Sequence, residues 1–361
     1  MLTEQQLELV RELRTRVATE LSSFYDTDFN LLRWLEGSDG SVEEAERRLR
    51  HHLRVRKAQW DLDTYVERRA ARDHPLHRHW PDGLLGPGGK RNSIVWVEQS
   101  GCNDFDGFWQ AFSLAEVLQA RTYDYENMLR HVMEKERETG ERWSITFIMD
   151  LGGLKYDRSL MNLITGPLKC ITAVLNSTQN SMATLSSSTR PVSYLPCGQI
   201  AKTVLPAKTK EKVRILDGQD DFKVQLTLPT KIPESLYKKN IPDDWNTISP
   251  QATRIKVKAG SSHFIPVFID ATKQTRFQFQ FTIDGLCGFG VFFSEKQQSD
   301  TAKKTEMRMV YQQLENIPAP LVLPIRDTVH CDSSGWYHLW FSNEKAWWHT
   351  LVVEYNIDNR E

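Results

Sequence analysis

"SITFIMDL", residues 144–151, decides the fold. It is a short run of Ile, Phe, Met and Leu with one carboxylate, Asp150, near its end, the composition of a strand buried in a sheet. A second run of the same kind, "NSIVWVEQ", occupies residues 92–99. Between them "SLAEVLQARTYDYENMLRHVMEKE" (113–136) reads as one long helix, opened by a capping box of Ser113 and Glu116. A second helical stretch, "SLMNLITGPLKCITAVLN" (159–176), follows and is apolar almost all round, with Pro167 placed to kink it. The order strand, helix, strand, helix predicts an α/β domain.

Toward the N-terminus the pattern is helical. Thr3 and Gln6 form a capping box ahead of Leu7, Val10, Leu13, Val17 and Leu21 at helical spacing. "FNLLRWLEG" gives a second helix, and Ser41 with Glu44 opens a third carrying Val42, Ala45, Leu49 and Leu53 on one face. Toward the C-terminus the signal becomes all β. Phe277, Phe279, Phe281 and Ile283 alternate in "TRFQFQFTID", and "GFGVFF", "GWYHLWF" and "HTLVVEYNI" follow between turn residues, which suggests a sandwich. The expected organisation is a helical lobe at 1–74, an α/β lobe at 75–230 and a β-sandwich at 231–361.

A net charge of −1 over 361 residues provides no global field to recruit nucleic acid, and 40% hydrophobic residues exclude a disordered chain. Five scattered cysteines without a C-x-x-C pair signal neither a disulfide framework nor a zinc site, which fits a reducing cytosol. No signal peptide or membrane span is read, so membrane association is expected to be peripheral. "GLLGPGGKR" (83–91) fails as a phosphate loop, because Leu84 stands where the first Gly is needed and Arg91 replaces the Mg²⁺-binding hydroxyl. It is expected to be a turn entering a strand. His74, His77 and His79 lack the spacing of a ligand set and are expected on a surface loop. Asp150 has no nucleophile or base at a diagnostic spacing, so neither catalysis nor a cofactor nor a metal is expected. The basic run "RRLRHHLRVRK" (47–57) is expected to be the solvated side of a helix.

Taken together, these segments resemble the CRAL-TRIO lipid-binding and lipid-transfer family, in particular its members with a C-terminal GOLD (Golgi dynamics) domain. The resemblance rests on "FNLLRWLEG…SVEEAERRLRHHLRVRKAQWDL", on "FIMDLGGL", and on "IPESLYKK", "AGSSHFIPV", "GFGVFF" and "SGWYHLWFSNEKAWWHTLVVEY". It implies a non-enzymatic protein that holds one phosphatidylinositol-like or tocopherol- or squalene-like lipid in an apolar slot floored by the sheet. Ile94, Trp96, Phe147, Leu163, Leu168 and Ile171 are the expected slot walls. The family's Thr-x-x-Lys pair falls on Thr209 and Lys212, expected to contact a phosphate. The resemblance also implies a cytoplasmic location with transient contact at Golgi or endosomal membranes, and a protein partner held by the GOLD sandwich.

The sequence departs from the family at "NSTQNSMATLSSSTRP" (176–191). The family's Y-P-E motif is absent and no apolar strand is readable there, so the sheet is expected to lack its central strand. A second reading follows, in which the lipid lobe is inactive and the sandwich acts as an adaptor, with aromatics near Trp347 and Trp348 as the binding patch.

Overall fold

The computed structural model describes residues 2–58, 60–69, 73–88, 92–150, 232–240 and 247–358, together with the backbone of strands at 182–189 and 213–217. Helices α1 (Glu4–Val17), α2 (Asp28–Gly37) and α3 (Val42–Lys57) form the N-terminal lobe. The Thr3 hydroxyl accepts from the Gln6 amide at 3.2 Å and the Gln6 side chain accepts from the Thr3 amide at 2.9 Å, so the capping box is made. Val10, Leu13, Val17, Leu31, Trp34, Leu35, Leu49 and Leu53 are buried between the three helices.

The basic run on α3 is not simply solvated. Arg56 is 1% exposed, and its guanidinium donates to both oxygens of Glu126 at 3.0 and 2.9 Å and to Asp63 at 2.7 Å. Helical spacing places Arg56 one turn from His52 on the inward side, where a carboxylate waits on another helix; the sequence pattern does not show that partner.

After α4 (Phe105–Ala111) comes α5 (Leu114–Thr139), which ends on Gly140 at φ 66°, a left-handed position suited to glycine. A five-stranded sheet holds β1 (Asp82–Pro87), β2 (Ser93–Glu98), β3 (Ser144–Asp150), β4 (Met182–Thr189) and β5 (Val213–Asp217), paired in chain order. β1 runs antiparallel to β2 and the other pairs are parallel. Two expectations are corrected here. Residues 82–87 form a strand rather than a turn, with a bulge at Leu84/Gly86 that uses Gly86 at φ 101°. The expected gap in the sheet is also filled, because "MATLSSST" lies as β4 between β3 and β5. The ladder needs backbone donors and acceptors rather than apolar side chains, and this stretch contains neither Pro nor Gly to interrupt it.

The C-terminal region is a sandwich of two four-stranded antiparallel sheets. Its strands are β6 (Thr253–Val257), β7 (Ser262–Ile269), β8 (Arg276–Ile283), β9 (Cys287–Ser294), β10 (Arg308–Ile317), β11 (Ile325–His330), β12 (Gly335–Ser342) and β13 (Leu351–Asp358). One sheet has the order β10-β9-β12-β7 and the other β11-β8-β13-β6. Phe277, Phe279, Phe281 and Ile283 all point inward, as their alternation predicts, and Phe279 and Phe281 meet Phe289, Tyr311 and Phe341 in tilted or edge-on ring contacts. This core does not end at the sandwich. It continues without a break into Trp60, Leu62, Tyr65, Phe108, Phe112 and Leu118.

Candidate lipid-binding site

The two faces of the parallel sheet differ. The register pairs Ile94 with Ile145 and Trp96 with Phe147, so these four side chains share one face. On that face they meet Met128 and Val132 of α5, and all six are at most 2% exposed. Three expected slot walls, Ile94, Trp96 and Phe147, are therefore packed core between sheet and helix. Leu163, Leu168, Ile171, Thr209 and Lys212 lie outside the described residues. The alternate residues of the same strands, Val95, Val97, Thr146 and Ile148, belong to the opposite face; Val95, Thr146 and Ile148 are only half-buried. The period of two within each strand held the signal, but which register faces water depends on where α5 docks.

At the C-terminal end of β2 the α5-covered face turns polar. Arg121 of α5 donates to Asp82 at 2.5 Å, to Glu98 at 2.9 Å and to Asp124 at 3.1 Å. All four side chains are nearly inaccessible to solvent. Burial works against the Arg121 charge, but Glu98 and Asp82 outweigh it and hold the guanidinium well above its ordinary range. The Trp96 indole donates to Asp82 at 3.3 Å and the Ser100 hydroxyl to Glu98 at 2.6 Å, which helps satisfy the remaining lone pairs. This knot closes the edge of the sheet with charge already paired. No local pattern announces it, because Arg121 is one of several charged residues along α5 and two of its partners lie on β1 and β2.

The expected loop histidines are not on the surface. His77 lies 6% exposed with Nε2 3.2 Å from the Ala120 carbonyl and 3.5 Å from Asp124, and His79 is 9% exposed. They turn inward because the residues around them form a short 3₁₀ helix, Pro75–Arg78, against α5. Among the described residues no group of three or more His, Cys, Asp or Glu side chains is arranged to hold a metal, and no helix is long and apolar enough to cross a membrane. Trp347 and Trp348 stand out from the tip of the sandwich.

Comparison with known proteins agrees with this architecture. The family described as CRAL/TRIO domain matches residues 78–241. Residues 2–65 match a domain of unknown function, DUF8435, and residues 242–361 match the family described as F28H7_8_C-like, C-terminal domain. The CRAL-TRIO domain-containing protein F28H7.8 of Caenorhabditis elegans is 22% identical over 369 residues, covering 94% of this chain and 86% of that protein. Among solved structures, the crystal structure of Sfh5 superposes with a TM-score of 0.46 at 10% identity, covering 60% of this chain and 82% of that one. The CRAL-TRIO family is a lipid-binding one. Residues 78–241, which hold the long crossover helix and the five-stranded sheet, are thus the part of the chain that is similar to the CRAL/TRIO domain, and a helical lobe and a β-sandwich flank them.

Proposed function

We propose that the protein binds one lipid non-covalently on the face of the sheet that α5 leaves uncovered, and carries it between membranes without chemical turnover. The observation that supports this reading is the division of β2 and β3 into a sealed register, Ile94, Trp96, Ile145 and Phe147, and an opposite one in which Val97 is buried but Val95, Thr146 and Ile148 are half-buried. The half-buried register bears no charge and suits an acyl or isoprenoid tail. Burial of each methylene is worth about 0.8 kcal/mol, and the bilayer already provides it, so a carrier must offer an equally dry surface. Thr209 and Lys212 remain the proposed head-group contacts for a phosphatidylinositol-like ligand, with a tocopherol- or squalene-like molecule as the uncharged alternative. In this reading the protein works in the cytoplasm and visits Golgi or endosomal membranes, and the sandwich serves as a GOLD-type module for attachment.

The test is purification without detergent from a lipid-containing host, followed by native and denaturing mass spectrometry. Wild-type protein should carry a stoichiometric lipid, and Ile148→Asp should lose it while keeping its circular dichroism and melting temperature. Phe147→Ala should instead destabilise the fold by about 3–5 kcal/mol, because it opens a cavity beneath α5. Full lipid occupancy in folded Ile148→Asp would place the lipid elsewhere.

A further inference from the structure

The tip of the sandwich beyond Ser342 exposes Trp347 at 95%, Trp348 at 86% and, on the neighbouring turn between β8 and β9, Leu286 at 52%. The tryptophans are carried on an anchored loop. The Asn343 side-chain amide donates to the Val257 carbonyl at 3.0 Å and to the His349 carbonyl at 2.8 Å, and the Ala346 amide donates to the Asn343 carbonyl at 3.1 Å. On the far side, Asp284 lies 3.2 Å from the His349 ring and accepts from the Val352 amide at 2.8 Å. Gly285 is packed so closely under His349 that a Cβ there would meet the ring at 2.7 Å, which ties the Leu286 turn to the tryptophan loop. Two large aromatic side chains are thus held out in water by a loop whose base is hydrogen-bonded on both sides.

The charges around them are balanced. Lys304 and Lys345 stand against Glu315 and Glu344 around the hollow that Leu286 helps to line, two charges of each sign. Lys345 is paired with Glu315 at 3.0 Å, and the Lys304 ammonium sits 3.8 Å above the Trp340 ring. Such a rim asks for no counter-charge. Indole rings carry an apolar body and one N–H donor and concentrate at the level of lipid head groups.

We infer that Trp347, Trp348 and Leu286 insert into the interfacial layer of a membrane and that this tip selects an electrically neutral lipid surface rather than an anionic one. The inference deepens the lipid-carrier reading by naming the element that touches the bilayer, and it stands on residues of the sandwich that are not part of the slot. Convex, almost fully exposed indoles fit a deformable surface, whereas a protein hot spot is a packed centre enclosed by a rim.

The experiment is co-sedimentation of the full chain with phosphatidylcholine vesicles at about 0.1 M and about 0.5 M salt, with and without added phosphatidylserine. Wild-type protein should bind phosphatidylcholine equally at both salt concentrations and gain nothing from phosphatidylserine. Trp347→Ser/Trp348→Ser should bind about a hundred-fold more weakly, roughly ten-fold per indole. Leu286→Ser should show a smaller loss. All three positions are exposed, so the variants should keep the wild-type melting temperature. Equal vesicle binding by the double variant overturns the inference, as does wild-type binding that needs phosphatidylserine and is released by salt, or no binding to either vesicle. Mass spectrometry of the double variant separates the two readings, since co-purified lipid should be retained when the tip is removed. A lipid-free wild type that still sediments through its tryptophans would sink the slot and keep the tip.

Discussion

His74 shows how one side chain couples burial to pH. Its Nδ1 accepts a hydrogen bond from the Leu76 amide at 3.2 Å and so caps the short 3₁₀ helix, while burial lowers its pKa to about 4. The neutral ring is the folded form, and the unfolded chain takes up the proton near pH 6.5. Between these two values the unfolded state binds more protons, so the contribution to stability is complete above about pH 6.5 and is lost as pH falls toward 4. His74→Asn keeps an acceptor without titrating, and its urea midpoint should fall less steeply than wild type across that window. Capping residues such as Thr3, Ser41 and Ser113 were legible because donor and acceptor are three positions apart. Arg33 was not. It sits in "LLRWL" and reaches Glu136, 103 residues away, and a separation of that size leaves no local trace.

Among the elements, α3 and α5 are joined by the Arg56–Glu126 pair, in which both side chains are 1% exposed. Burial lowers and the carboxylates raise the Arg56 pKa, with a net rise above its ordinary value. Arg56→Met should cost about 3–5 kcal/mol in urea unfolding, because it strands a buried carboxylate. Arg56→Met/Glu126→Leu should recover most of that loss; a double variant as unstable as the single would mean that packing, rather than charge, is at stake. Element types were read well where a buried face imposes its period, as in α1, α5 and β8. β4 was missed for the opposite reason, since Ser and Thr carry no apolar signal and a strand between two others is specified by their ladders. The packing of the expected slot walls under α5 has a related reason. Ile94, Trp96 and Phe147 are the larger side chains of their strands, and size marks the face that packs on a helix.

At the scale of the whole molecule α5 is the common member of three otherwise separate cores. Leu114, Val117 and Leu118 belong to the core shared with the sandwich, Met128 and Val132 to the sheet, and Leu129 and Met133 to the helical lobe. Gln119 adds a polar tie, donating to Asp327 of β11 at 2.9 Å. The domain boundaries visible along the chain as changes of pattern are therefore not mechanical boundaries, since a helix of 26 residues is gripped by all three regions. Local opening of any one lobe leaves α5 clasped by the other two. In deuterated buffer the backbone amides near its middle, around Tyr123 to Val132, should be the last to exchange, at a rate set by global unfolding. Exchange there ahead of the sandwich strands would show that the helix can loosen on its own.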